Sequence, residues 1–203
     1  MTLDQEWFST LFGVFFIIGN MHTFLALMLV ISVSVRNRFG FEEYITINRL
    51  HDLAKLVFAF SLLWAYMGYS QYLVIWYADM PEETPYLVIR SMEQPWALMF
   101  LLIIIAVFAI PFLGLLPKTF CRIPNYIRAM GIWVVISQWF VIYLMVVPSL
   151  QDFGHYHVDM GLHELLITLG FVGIFFLSYF TFLGKVPILP ISDKHLCRSW
   201  HGH

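Results

Sequence analysis

Five long apolar runs constrain this chain more than any other feature of its sequence. A helix needs about 20 apolar residues to cross the hydrocarbon core of a bilayer, and the period-two alternation typical of membrane strands is absent. The sequence therefore predicts an all-α integral membrane protein, a single bundle of five transmembrane helices. Their predicted bounds are residues 7–35, 53–77, 96–116, 126–147 and 162–183.

The composition agrees with a membrane protein and excludes several function classes. Hydrophobic residues make up 60% of the chain and charged residues 12%, against about 25% charged residues in soluble domains. The net charge of −2 leaves no basic patch for nucleic acid. The two cysteines, Cys121 and Cys197, are too few for an iron–sulfur cluster, and no CxxCH motif offers covalent haem attachment. We therefore expect no catalytic residue, cofactor or metal in this chain.

The basic residues predict an orientation in the membrane. Ten of the eleven Lys and Arg residues fall in the first loop, the third loop and the C-terminal tail, or beside them. Only Arg90 lies on the other side, in an acidic loop that contains Glu82 and Glu83. By the positive-inside rule, the N-terminus is periplasmic and residues 184–203 form a short cytoplasmic tail.

The second apolar run carries more polar residues than a lipid-facing helix requires. At 100° per residue, seven of them fall within an arc of about 100°. A polar face of this kind is expected to meet protein or water rather than lipid. The seven residues are His51, Asp52, Lys55, Tyr66, Tyr69, Ser70 and Tyr77.

Two interpretations of this polar face stay open. His51, Asp52 and Lys55 are either a proton-collecting cluster at the cytoplasmic mouth or an interfacial cap with a snorkelling lysine. Tyr66 and the later polar residues are either stations on a proton path or packing residues with satisfied hydroxyls. The face has a gap of about 16 Å between Lys55 and Tyr66, so a proton path would need water or another helix there.

Three other polar positions fall inside the predicted helices. His22, near the middle of the first helix, is expected to be a hydrogen-bonded packing residue or, alternatively, a relay. Ser137 and Gln138 are expected to make interhelical hydrogen bonds. Glu164 is either a proton exit or a carboxylate that favours a helix start. The histidines lie at different predicted depths, which argues against a membrane haem.

The central stretch RLHDLAKLVFAFSLLWAYMGYSQYLVIWYADMPEET, from Arg49 to Thr84, closely resembles the ActF-type integral membrane subunit of bacterial alternative complex III. The similarity continues in LGFVGIFFLSYFTFLGKVPILPISD, from Leu169 to Asp193. That family belongs to the NrfD/PsrC-like membrane anchors, which are built as two four-helix bundles with extra helices. This chain resembles the second half only.

The resemblance implies a function in the bacterial cytoplasmic membrane. It implies a cofactor-free subunit of a quinol:cytochrome c, or quinol:acceptor, oxidoreductase with a proton-conducting or coupling role. Expected partners are a second NrfD-like quinol-binding subunit, an iron–sulfur subunit, multihaem cytochrome c subunits and membrane lipids, with haem c and iron–sulfur clusters in the partners. The positions implied to handle protons, together with those suggested by the residues themselves, are His51, Asp52, Lys55, Tyr66, Ser70, Tyr77, Glu83 and Glu164.

Two alternatives to this function belong to other classes. A purely structural anchor for redox subunits would need the same membrane helices but no proton path. An independent ion transporter is disfavoured, because the chain shows neither inverted repeats nor paired broken helices.

Overall fold

The computed structural model describes residue 7 and residues 9–150 and 161–185. Residues 151–160, which include His155 and His157, and the tail beyond residue 185 lie outside the described residues. The chain divides into two units, residues 1–157 and 158–203, and each is described by itself.

Helices and short connections account for the described residues, with no strand among them. The first unit contains α1 (Thr10–Phe39), α2 (Ile47–Ala78), α3 (Thr84–Ser91), α4 (Trp96–Ile104), a π-helical segment (Ile105–Ala109), α5 (Ile110–Leu115) and α6 (Pro124–Val146). The second unit contains α7 (Leu162–Leu183). Short 3₁₀ turns cover Phe120–Arg122 and Val147–Leu150.

Five helical stretches in the described residues are long and apolar enough to cross a membrane, as the sequence predicts. They are α1, α2, the continuous stretch from α4 through α5, α6 with the turn that follows it, and α7. The C-terminal end of α1 and the N-terminal end of α2 extend further than predicted, because helical backbone continues through polar residues of the first loop. Gly40 ends α1 in the left-handed conformation, with φ at 67°, a position that suits a residue without a Cβ.

The core of the first unit forms where α1 packs against α2 and α6. Buried aliphatic side chains of the three helices meet there, among them Leu29, Val57 and Val134. The backbones of α1 and α6 approach closely at Gly131, where an added Cβ would lie 3.0 Å from the Ala26 carbonyl oxygen. A glycine is needed at this contact because any side chain would push the two helices apart.

The π-helical segment interrupts the third membrane-crossing stretch just before Pro111. Within it the Ile110 N–H bonds to the Ile105 carbonyl, one residue further back than in an α-helix. The next carbonyl, that of Ala106, would need an N–H from Pro111, which has none. The indole Nε1 of Trp133 on α6 donates to the Ala106 carbonyl oxygen instead, at 2.9 Å.

The short helix α3 is fastened to the end of α6 by one buried arginine. Arg90, 5% exposed, donates from Nε to the Leu144 carbonyl (3.2 Å) and from Nη2 to the Met145 carbonyl (3.0 Å) and Ser149 Oγ (2.6 Å). Its guanidinium also lies 3.5 Å from the centre of the Tyr86 ring. The cation therefore meets carbonyls that the last turn of α6 cannot pair internally.

Candidate functional site

The polar residues predicted along α2 lie on the side of that helix opposite its buried side. We call Asp52, Lys55, Tyr66, Tyr69, Ser70 and Tyr77 the outer face of α2. The buried residues of α2 include Ala54, Val57, Ser61 and Trp64, and they fall about 180° from the centre of the outer face. The outer face thus points away from the α1–α6 core of its own unit.

The tyrosines of the outer face are largely exposed in the isolated chain. Tyr66 is 65% exposed, Tyr69 63% and Tyr77 85%. The Ser70 hydroxyl donates to the Tyr66 carbonyl of its own helix at 2.8 Å. This bond stays within α2 and does not link Ser70 to the next candidate on a proton path. The outer face consequently offers its phenol groups to whatever surrounds the chain.

The predicted cluster at the start of α2 contains one ion pair. Lys55 Nζ donates to Asp52 Oδ1 at 2.9 Å, and both side chains are exposed. His51 lies next to this pair and is partly buried. An exposed pair at this spacing contributes little to stability, because water screens both charges. The geometry agrees with a solvated helix start and equally with a cluster that exchanges protons with water.

The two acidic candidates lie in different units. In the first unit, Glu83 immediately precedes α3 and is partly buried, and its backbone N–H bonds to the Met80 carbonyl at 3.1 Å. In the second unit, Glu164 lies in the first turn of α7, and its Oε2 would be 2.9 Å from a Cβ added to Gly161. Glu164 thus folds back over the start of its own helix, where a carboxylate is favoured by the helix dipole.

Two polar residues that the sequence leaves on separate helices meet in the core. Gln138 Nε2 of α6 lies 3.1 Å from His22 Nδ1 of α1. His22 is fully buried and Gln138 is 4% exposed. In this orientation of the amide, Gln138 Nε2 donates to Nδ1 and the ring proton lies on His22 Nε2, for which the described residues supply no acceptor. The interhelical hydrogen bond expected of Gln138 is confirmed, and His22 is the partner that sequence reasoning did not supply.

Ser137 behaves differently from its neighbour. Its hydroxyl donates to the Trp133 carbonyl of the same helix at 2.8 Å, so the expected interhelical bond is wrong for this residue. A serine hydroxyl reaches the carbonyl four residues earlier on its own helix without needing a facing partner. Within the described residues, no group of three His, Cys, Asp or Glu side chains is placed to hold a metal ion.

The fold and this geometry define the class of protein: a multi-pass α-helical membrane protein with a polar, aromatic outer face on one helix. No protein-family model matches the chain, and no curated protein matches it. The resemblance to the alternative complex III subunit therefore rests on the residues quoted above.

Proposed function

We propose that this chain is a cofactor-free membrane subunit of a quinol-oxidising respiratory complex of the alternative complex III type. It docks a second NrfD-like membrane subunit against the outer face of α2. The observation that supports this most is the exposure of Tyr66 and Tyr69, which is above 60% for both.

The depth of these tyrosines makes lipid an unfavourable neighbour. With α2 (Ile47–Ala78) centred in the bilayer, Tyr66 lies about 5 Å and Tyr69 about 10 Å from the midplane along the helix axis. A hydroxyl without a hydrogen-bond partner in an apolar medium costs about 1–3 kcal/mol. A facing protein helix supplies acceptors, and tyrosine is enriched in the centres of protein interfaces.

The outward direction of the outer face determines where a proton route would run in a coupling role. A proton route through His51, Asp52 and Lys55 to Tyr66, Ser70 and Tyr77 would run along the subunit boundary, because these residues face outward. The partner subunit or water would have to bridge the gap of about 16 Å between Lys55 and Tyr66. Glu83 would serve at the periplasmic end of such a route, and Glu164 of the second unit stays a separate candidate for proton exit. A purely structural anchor needs none of these links.

The proposed setting follows from charge and resemblance. The chain lies in the bacterial cytoplasmic membrane with its N-terminus in the periplasm and its C-terminus in the cytoplasm. An iron–sulfur subunit and multihaem cytochrome c subunits would carry the redox centres, and lipids would cover the remaining apolar surface.

Purification of the affinity-tagged chain from its native membranes tests the assignment. We expect the wild-type chain to retain haem c and iron–sulfur subunits in mild detergent. Tyr66→Ala with Tyr69→Ala should release them. The matched control is Leu98→Ala with Leu101→Ala, because these α4 side chains are 57% and 54% exposed and carry no polar group. A wild-type chain that brings down neither haem nor iron–sulfur protein would refute the proposal.

Proton uptake distinguishes coupling from anchoring. Asp52→Asn with Lys55→Met is compared with wild type in vesicles that contain the assembled complex, and protons taken up per electron are measured. A reduced ratio supports a coupling role. An unchanged ratio in an intact complex leaves the anchoring role alone.

A further inference from the structure

Two arginines lie near the junction where the end of α1 meets the start of α6. Asn37 Nδ2 of α1 donates to Asn125 Oδ1 of α6 at 3.4 Å, so the two helices touch at this level. Arg38 directly follows Asn37, and Arg128 lies one turn beyond Asn125. Helical residues three positions apart have Cβ atoms about 5–6 Å from each other. The contact between the asparagines therefore holds both arginines near one junction.

The two arginines lie on the same outer side of the α1–α6 pair. At 100° per residue, Arg38 lies about 140° around α1 from Val33, which is fully buried in the core cluster that includes residues of α2. Arg128 lies about 160° around α6 from Tyr126, whose hydroxyl donates to the Gly114 carbonyl of α5. Because α2 and α5 pack on the other side, both arginines are directed toward the surroundings of the chain.

Neither arginine has an acidic partner among the described residues. Arg36, by contrast, pairs with Glu42 and donates to the Ile45 carbonyl. Arg38 is exposed and Arg128 is partly buried, and within the described part of the chain neither guanidinium group makes a hydrogen bond or an ion pair. A partly buried cation is stabilised by a counterion, so an anion from outside the chain is favoured here.

The depth of the two arginines matches the phosphate level of a bilayer. The membrane-crossing stretch that begins at Pro124 has 27 residues, about 40 Å of helix against a hydrocarbon core of about 30 Å. With this stretch centred in the bilayer, Arg128 lies at the boundary of the core. Arg38 ends a stretch of 29 residues and lies about 7 Å beyond the boundary. From these depths the long side chains can extend to lipid phosphates.

Apolar surface continues from the arginines toward the middle of the membrane. Ile132, one turn beyond Arg128, is 44% exposed, and Phe24, on the same side of α1 as Arg38, is 58% exposed. Acyl chains can lie against these side chains while the headgroup meets the arginines. An ion such as inorganic phosphate would leave this apolar surface unused, so the combination favours a phospholipid.

We propose that Arg38, Arg128 and Asn125 form a binding site for the phosphate of an anionic phospholipid. The two guanidinium groups neutralise the headgroup, and each can donate two parallel hydrogen bonds to phosphate oxygens. Asn125 Nδ2, which the contact with Asn37 does not use, adds a neutral donor. The lipid thereby joins the end of α1 to the start of α6. The site is independent of the proposed respiratory function, because none of its residues belongs to the outer face of α2.

Native mass spectrometry of the purified full-length chain tests the site. Phosphatidylglycerol or phosphatidylcholine is added in detergent, and the affinity of the most tightly bound lipid is measured after release from the micelle. A basic residue near the membrane surface contributes about fivefold to the affinity for anionic lipid. We therefore expect Arg38→Gln with Arg128→Gln to weaken phosphatidylglycerol binding about 25-fold and to change phosphatidylcholine binding little.

The matched control is Arg49→Gln with Lys118→Gln. Both residues are exposed and lie in the first and third loops, at the same end of the first unit, so the net charge falls equally while the proposed site stays intact. We expect phosphatidylglycerol binding close to that of wild type. Equal losses in the two double variants would show general charge attraction and overturn the proposal.

Three further outcomes are decisive. Equal affinity of the wild-type chain for the two lipids overturns the proposal, and so does displacement of phosphatidylglycerol by millimolar inorganic phosphate. Arg38→Lys with Arg128→Lys should bind phosphatidylglycerol more weakly than wild type but keep the preference over phosphatidylcholine, because the charge remains and the paired donors are lost; loss of that preference overturns it. Should the glutamine double variant not fold, Arg38→Gln alone is compared with Arg49→Gln, with about a fivefold loss expected only for Arg38→Gln.

Discussion

Replacing Arg90 should destabilise the chain far more than replacing any exposed arginine. In Arg90→Ala, three acceptors at the end of α6 lose their donors: the carbonyls of Leu144 and Met145 and the hydroxyl of Ser149. A hydrogen bond to a charged group contributes about 1.5–3 kcal/mol, but the freed acceptors lie near the helix end, where water replaces part of the loss. We therefore expect a cost of about 3–5 kcal/mol, below the plain sum of the three hydrogen bonds.

Arg90→Lys separates charge from geometry. Lysine keeps the positive charge near the C-terminal end of the α6 dipole, yet its ammonium group cannot direct Nε and Nη2 donors to three acceptors at once. We expect about half the loss of Arg90→Ala. If charge alone mattered, Arg90→Lys would match wild type.

The assay is thermal unfolding of the purified chain in detergent, followed by circular dichroism. At about 2–4 °C per kcal/mol for a chain of this size, Arg90→Ala should lower the midpoint by about 10 °C. Arg49→Ala is the control, because Arg49 is exposed and makes a local bond to the Tyr44 carbonyl. Equal, small shifts for Arg90→Ala and Arg49→Ala would refute the reasoning.

Three further predictions rest on single contacts. Gly131→Ala should lower the unfolding midpoint despite the helix preference of alanine, because its methyl would meet an α1 carbonyl oxygen at 3.0 Å; a rise in the midpoint would contradict that packing. Trp133→Phe should cost about 1–2 kcal/mol, since the indole donates to the Ala106 carbonyl, which Pro111 cannot serve because it has no N–H; unchanged unfolding would contradict this. Burial raises the pKa of the Cys121 thiol. In a Cys197→Ser chain, maleimide at pH 8 should therefore label Cys121 slowly until the pH is raised or detergent unfolds the protein. Fast labelling of the folded protein would show an accessible thiolate and contradict this.

The number of membrane-crossing helices was predictable from the sequence because apolar length is a local property. The direction of the polar side of α2 was only partly predictable. Periodicity groups Tyr66, Tyr69 and Tyr77 on one side, but which side of a helix packs inward depends on its neighbours. Small residues on the opposite side, such as Ala54 and Ser61, were the available signal, since close helix packing in membranes favours them.

The pairings between distant residues were beyond sequence reasoning. His22 and Gln138 each stand out as polar residues at mid-depth, but nothing local indicates that they meet across α1 and α6. Arg90 entered the topology argument as the one cation on the acidic side. Its actual contacts depend on where α6 ends relative to α3, which is a tertiary property.

The π-helical segment before Pro111 determines which residues of the third membrane-crossing stretch face the protein interior. Its buried side chains from Ile103 to Leu115 recur every four residues, at Val107 and Pro111 between them. On an uninterrupted α-helix that spacing would rotate the inward stripe by about 120° between the first and last of them. The π-helical segment takes up one additional residue in a turn, which cancels about 100° of that rotation. The buried side chains therefore stay aligned on one side of the helix. A helical wheel drawn through the whole crossing would therefore assign Leu115 to the lipid.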